Sequence, residues 1–201
     1  MLEPLSIVFN TLSVVGANRN SVHTWWTGIV GSVLLGLVFW EVRLYADVTL
    51  MGFFAVTSGL GWWRWSYGGP AHGGAARTEL PVTRATRADA VATLLFVGGT
   101  VGGYGGLLYA FTSAAAPFVD SAILALSVAA TWLLMQRKVE SWWLWIAADV
   151  LSVPLYLDKG IPLTALLYAG YLVNAAWGLR HWQTLARNDA SAAEARPGTA
   201  A

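Results

Sequence analysis

Asp149 stands near the centre of Ser141–Leu157, S-W-W-L-W-I-A-A-D-V-L-S-V-P-L-Y-L, a run that is otherwise apolar and aromatic. With its flanks the run is long enough to cross a bilayer as a helix, which takes about 20 mostly apolar residues. A carboxylate at that depth costs roughly 2.5 to 3.5 kcal/mol on insertion scales, so Asp149 is expected to face a bundle interior or a wet cavity. Other polar side chains interrupt apolar runs in the same way: Asn10, Ser32, Thr57, Ser127 and Asn174. Tyr171 and Trp177 fall about one turn either side of Asn174, and Trp145 and Tyr156 fall one and two turns from Asp149. A carboxylate, two amides, three hydroxyls and several aromatic faces are the chemistry of holding a small ring-bearing solute. Each also has a plainer use. Ser32, Thr57 and Ser127 can bond their own helix backbone, and Asn10 and Asn174 can hold helices together.

Bond-breaking chemistry finds little support. His23, His72 and His181 all lie in or beside loops, and no G-x-S-x-G elbow is present. One deep acid without a deep His or thiol is too small a ligand set for a metal, and the chain has no cysteine. No catalytic residue, metal or cofactor is expected.

The chain of 201 residues is 56% hydrophobic and 11% charged. Ordinary soluble domains carry roughly 25% charged residues, so this composition, with mean hydropathy +0.54, predicts an integral membrane protein whose partner is the lipid bilayer. A net charge of +1 leaves no basic face for nucleic acid. The opening M-L-E-P-L-S has neither a basic n-region nor a small-residue cleavage site, so no removable signal peptide is expected.

Seven spans are predicted, at about 5–17, 25–40, 48–65, 89–112, 117–136, 141–157 and 162–179. The connector from 66 to about 87 is rich in Gly, Pro, His and Arg and reads as solvated. The glycines Gly98, Gly99, Gly102, Gly103, Gly105 and Gly106 lack a following Gly-Lys-Ser/Thr, and are read as a close-packing surface rather than a phosphate cradle. Arg19, Arg64, Arg77, Arg84, Arg87, Arg137, Lys138, Arg180, Arg187 and Arg196 all fall on one side of such a bundle, against Arg43 and Lys159 on the other. This asymmetry puts the C-terminus in the cytoplasm and the N-terminus outside. Trp25, Trp26, Trp62, Trp63, Trp65, Trp142, Trp143 and Trp182 lie at span ends, where an interfacial belt accounts for them. Trp145 and Trp177 lie deeper and are candidates for a ligand-facing wall.

The chain also contains a copy of itself. A shift of 117 residues matches Val22 to Val139, Trp25 to Trp142, Trp26 to Trp143, Ile29 to Ile146, Gly61 to Gly178 and Trp65 to Trp182. Three spans per copy and one joining span give a 3+1+3 arrangement of parallel repeats, related by an axis along the membrane normal. The expected segments are a first three-helix repeat at 1–66, a loop and linker helix at 67–116, a second repeat at 117–183 and a disordered cytoplasmic tail at 184–201. The repeat pairs Asn10 with Ser127, Ser32 with Asp149 and Thr57 with Asn174. A polar group in hydrocarbon must find a partner, so these six are expected to meet at a midplane site between the copies, which rock to give alternating access.

L-Y-A-D at 44–47, G-W-W-R-W at 61–65, the basic pair before E-S-W-W-L-W at 140–145, D-V-L-S-V-P-L-Y at 149–156 and G-L-R-H-W at 178–182 occur in order. In these motifs the chain resembles the PnuC family of bacterial vitamin transporters over nearly its whole length. The resemblance implies an all-α, seven-helix, SWEET-like fold in the bacterial inner membrane that imports nicotinamide riboside by facilitated diffusion. It also implies a cytoplasmic kinase that traps the arriving riboside. Relatives in that family carry thiamine or riboflavin. Some nicotinamide riboside carriers hold Asn where this chain has Ser32, Asp149 and Trp177, which leaves the vitamin open.

Nicotinamide riboside, a cationic pyridinium joined to a sugar, fits the residues: Trp145, Trp177 and Tyr171 for the ring, Asn174, Thr57, Asn10 and Ser127 for the sugar, Asp149 for the charge. Thiamine meets the same requirements, and neutral riboflavin leaves Asp149 less to do. Proton coupling through Asp149 is the alternative mechanism. A homo-oligomeric assembly is compatible with such a chain.

Overall fold

The computed structural model describes residues 2–41, 45–67, 80–112, 115–160 and 162–194. Arg43, Leu44, His72, Arg77 and Arg196 lie outside the described residues, as does the connector from 68 to 79. Seven helices follow in order: α1 Leu2–Asn18, α2 His23–Glu41, α3 Tyr45–Tyr67, α4 Arg87–Phe111, α5 Pro117–Met135, α6 Ser141–Asp158 and α7 Pro162–Glu194. In hydrocarbon a backbone must satisfy its own N–H and C=O groups, and a helix does so within one segment. The helices α2, α4 and α5 are each long and apolar enough to span a bilayer by length and composition.

The chain divides into two compact units, residues 1–81 and 82–201. In the first, α2 packs against both α1 and α3. In the second, α5 packs against α4 and α6, and α6 against α7.

The two units are built around the same device, 117 residues apart. At the α1–α2 corner Asn20 takes φ 52°, and at the α5–α6 corner its counterpart Arg137 takes φ 53°. The flanking backbone bonds repeat as well: Asn20 N–H donates to Ala17 O at 3.0 Å and Arg137 N–H to Leu134 O at 2.9 Å. Ser21 N–H donates to Gly16 O at 2.9 Å, and Lys138 N–H to Leu133 O at 3.0 Å. Past each corner a tryptophan lies flat over a glycine of the unit's last helix and meets a second tryptophan edge-on. Trp25 covers Gly61 and sits 5.3 Å from Trp65. Trp142 covers Gly178 and sits 5.6 Å from Trp182.

These contacts correct the reading of the tryptophans as a belt. Trp25, Trp65, Trp142 and Trp182 are all buried, because bare glycine backbone opposite each first ring admits the indole into the helix interface. Trp26, Trp62, Trp63 and Trp143 are exposed, as a belt requires.

Two other expectations are revised. Of the α4 glycines only Gly105 packs, against Phe118 and Ser121; a methyl added at Gly98, Gly99, Gly102, Gly103 or Gly106 meets nothing within 4 Å. The helix α7 continues to Glu194, so at least residues 184–194 of the expected disordered tail are helical. The segment A-R-N-D-A-S-A-A-E is rich in alanine, the best helix former, and Asp189 is tied down as acceptor for the Val82 N–H at 2.9 Å.

The same tie belongs to a strap at the end of the connector. Thr83 forms a parallel bridge with the α5–α6 corner, its N–H donating to Arg137 O and its carbonyl accepting from Val139 N–H, both at 3.0 Å. Glu140 accepts from Ala85 N–H at 2.6 Å and pairs with Arg84 at 3.4 Å. Beyond it, Thr86 and Asp89 close a capping box on α4. Glu140→Ala removes the acceptor of a part-buried N–H, a loss of about 1.5 to 3 kcal/mol for a bond to a charged group. We expect limited proteolysis to cut faster at residues 80–86 in that variant, with α-helical content unchanged.

Candidate functional site

The second unit assembles one polar and aromatic cluster within its apolar helices. Asp149 lies in the middle of α6 at 3% exposure, and its carboxylate makes no hydrogen bond or ion pair with another described residue. One residue further along, the helix changes character. Pro154 lacks an N–H, so the carbonyl of Val150 loses its usual partner four residues on and α6 is open to bending there. Ser152 donates instead to the Ala148 carbonyl at 2.8 Å, within its own helix.

Against this part of α6 the structure sets three tyrosines. Tyr156, two turns beyond Asp149, meets Tyr168 from α7, their rings lying 5.1 Å apart with an interplanar angle of 31°. Tyr168 in turn meets Tyr171 edge-on at 5.8 Å. All three rings are half-buried, so their faces are partly open. Asn174 is half-buried one turn further along α7.

Asp149, Tyr171 and Asn174 are sequence-identified residues that fall on this pair of helices, α6 and α7, together with Trp145 and Trp177. Trp145 is half-buried, whereas Trp177 is 65% exposed, and neither makes a ring contact with another described residue. Tyr168 was not singled out from the sequence. Its signal was the spacing Tyr168, Tyr171, Asn174, three residues apart each time, which puts all three along one stripe of a helix. Tyr156 is the residue that joins the α7 tyrosines to α6.

Ser127 donates its hydroxyl to the Ile123 carbonyl of its own helix at 2.8 Å. In the first unit, Thr57 does the same toward Phe53 O at 2.9 Å and Phe54 O at 3.1 Å. Ser32 is buried at 5% exposure. Asn10 donates to Ser6 O at 2.9 Å and rests its amide over Gly31 of α2, where an added methyl would come within 2.6 Å of its oxygen. The α1–α2 interface is further closed by Ser13 and Thr24, each hydroxyl donating to the other residue's carbonyl at 2.7 Å.

Among the described residues no group of three or more His, Cys, Asp or Glu side chains converges as a metal site would need. The cluster holds a lone acid, phenolic hydroxyls and ring faces. That set can bind and orient a small polar ring compound, and it contains no nucleophile paired with a base.

The family model described as nicotinamide mononucleotide transporter matches residues 1–184. The chain is 25% identical over 214 residues to the nicotinamide riboside transporter PnuC of Escherichia coli, covering 96% of this chain and 89% of that protein. It is 28% identical over 193 residues to the riboflavin/roseoflavin transporter RibM of Streptomyces davaonensis, covering 83% of this chain and 89% of the relative. The crystal structure of the vitamin B3 transporter PnuC superposes with a TM-score of 0.70 at 23% identity, over 94% of this chain and 83% of that one.

Proposed function

The chain belongs to the nicotinamide mononucleotide transporter family, that of the PnuC vitamin transporters, and from that premise we propose that it imports nicotinamide riboside by facilitated diffusion. It is a membrane transporter of a small vitamin-like molecule and not an enzyme. The observation that carries the choice of substrate is the buried Asp149, without a hydrogen bond or ion pair among the described residues, on the helix pair that also carries Tyr156, Tyr168 and Tyr171. A positively charged ring compound supplies what that carboxylate lacks, and in this reading Asn174 serves the sugar.

In this reading residues 1–66 and 117–183 are parallel three-helix repeats, and α4 lies in the joining segment 67–116. The identical Trp–Gly–Trp packing and left-handed corners of the two units support it. The protein sits in the bacterial inner membrane with its N-terminus outside, as the positive loop charges favour. Asp149, Asn174, Tyr171 and Trp145 contact substrate from the second repeat; Asn10, Ser32 and Thr57 contribute from the first, and Ser127 and Trp177 complete the set. Flux follows the substrate gradient, and a cytoplasmic kinase keeps the gradient inward.

The similarity to RibM favours a second reading, riboflavin as cargo. Proteoliposomes loaded with buffer alone and given labelled nicotinamide riboside, thiamine or riboflavin decide between them. We expect riboside uptake to equilibrate without a proton or sodium gradient. Uptake of riboflavin alone replaces the substrate, and uptake that requires a proton gradient replaces the mechanism with coupling through Asp149.

A further inference from the structure

We infer that residues 80–89 are a permanent clasp: they tie α4 to α7 and to the α5–α6 corner, so that α4, α5, α6 and α7 move as one body. The inference rests on the transporter reading and goes beyond it, because it concerns which parts of the carrier stay together and not what the carrier takes.

Among the described helices α4 packs on α5 alone, and its surface is mostly exposed. A helix held along one partner is free to tilt about it unless its end is fastened elsewhere. The strap supplies that fastening. On α7, Asp189 accepts from Val82 N–H at 2.9 Å, and Val82 itself is buried at 2% exposure. At the corner, Thr83 N–H donates to Arg137 O and Thr83 O accepts from Val139 N–H, both at 3.0 Å. Glu140, the residue before α6, accepts from Ala85 N–H at 2.6 Å. Lys138 then reaches back toward α4: its ammonium donates to Arg84 O at 3.2 Å and lies 3.8 Å from Asp89 in the first turn of that helix. Ties spread over several helices must all break before α4 swings free, so partial opening gains little freedom.

The first unit shows the same corner without a clasp. Asn20 matches Arg137 in repeat position and in φ, and Val22 matches Val139. Yet Asn20 C=O and Val22 N–H, the counterparts of the two groups that Thr83 bridges, make no hydrogen bond to another described residue. One turn is built twice and bridged once. The corner therefore does not need the bridge in order to form, and the bridge serves to hold α4.

Hydrogen exchange on the full-length protein in lipid nanodiscs reads the clasp directly, with the first corner as reference. After correction for intrinsic rates, we expect Val139 N–H to exchange at least about thirtyfold more slowly than Val22 N–H, because it is released only when the strap lifts. Saturating nicotinamide riboside should leave the Val139 rate within about twofold. A second experiment uses the absence of cysteine from the chain. Thr83→Cys with Lys138→Cys sets one thiol pair across the bridge, where a strand spacing of roughly 5 Å lies within the Cα separation that a disulfide accepts. In proteoliposomes the oxidised protein should take up labelled vitamin within about twofold of the same protein reduced, since locking a contact that never opens removes no step of the cycle.

Val139 exchanging as fast as Val22, or faster exchange once riboside is added, overturns the inference. So does uptake that stops on oxidation and returns on reduction, the mark of a strap that has to lift. If neither form takes up riboside, thiamine or riboflavin while Val139 stays protected, the clasp stands and the cargo reading fails, which keeps the two apart.

Discussion

Alanine at Gly178 is expected to destabilise the second unit by roughly 1 to 3 kcal/mol, the usual cost of forcing an extra methyl into a filled core. The new Cβ would arrive 2.7 Å from three atoms of the Trp142 ring, a distance that real Cβ contacts essentially never show. The ring has little room to retreat, because Trp142 is 2% exposed and its other flank is held by Trp182 at 5.6 Å. Gly61→Ala should do the same to the first unit, where the approach to Trp25 is closer still. Gly102→Ala is the control: nothing lies within 4 Å of that site, so replacing a helical glycine there should be neutral or stabilising by up to about 1 kcal/mol. Thermal melts of the three detergent-solubilised variants check the order. A smaller ring opposite the methyl should rescue it, so Trp142→Phe combined with Gly178→Ala should be less harmful than the sum of the two. Equal melting of Gly178→Ala and Gly102→Ala would show that the indole does not depend on the bare backbone beneath it.

This packing also marks where the sequence could be read and where it could not. The 117-residue repeat was visible because Trp and Gly are informative letters: Trp25, Gly61 and Trp65 recur as Trp142, Gly178 and Trp182. Their burial was hidden, because a tryptophan near the end of an apolar run satisfies the rule for interfacial anchors equally well. The left-handed corner is the converse case. Asn20 and Arg137 share φ to within a degree, yet residue type does not announce the pair, since asparagine is a common choice for positive φ and arginine is not. The strap from Leu80 to Thr86 was illegible because its partners, Arg137, Glu140 and Asp189, are far along the chain, and its bonds run largely through backbone groups that every sequence has.

The candidate site divides along the same line. Asp149 was legible because an acid in an apolar run has few acceptable explanations. Thr57 and Ser127 have a dull explanation available, and their hydroxyls do donate to the preceding turns of their own helices. Tyr168 escaped because a tyrosine in an apolar helix is unremarkable until its neighbours are known, and one of those neighbours, Tyr156, comes from another helix.

Replacing Asp149 by leucine is expected to make the protein more stable and useless as a carrier. An apolar side chain with the same branched outline removes a buried carboxylate that has no hydrogen bond or ion pair among the described residues, a gain on the order of 2 kcal/mol. For a chain of this length that corresponds to a thermal midpoint raised by roughly 4 to 8 °C. Substrate uptake should fall to the background of empty liposomes. The two readouts must move in opposite directions, because a group kept for binding holds the apo protein below its attainable stability. A structural acid predicts the reverse pattern, with a lower midpoint and uptake reduced only in proportion to the protein lost. Asp149→Asn separates charge from shape: it keeps the outline and polarity of the side chain, so it should recover part of the stability gain and retain part of the uptake. Adding saturating substrate should raise the midpoint of wild type and leave Asp149→Leu where it was, since only a state that binds ligand is stabilised by it.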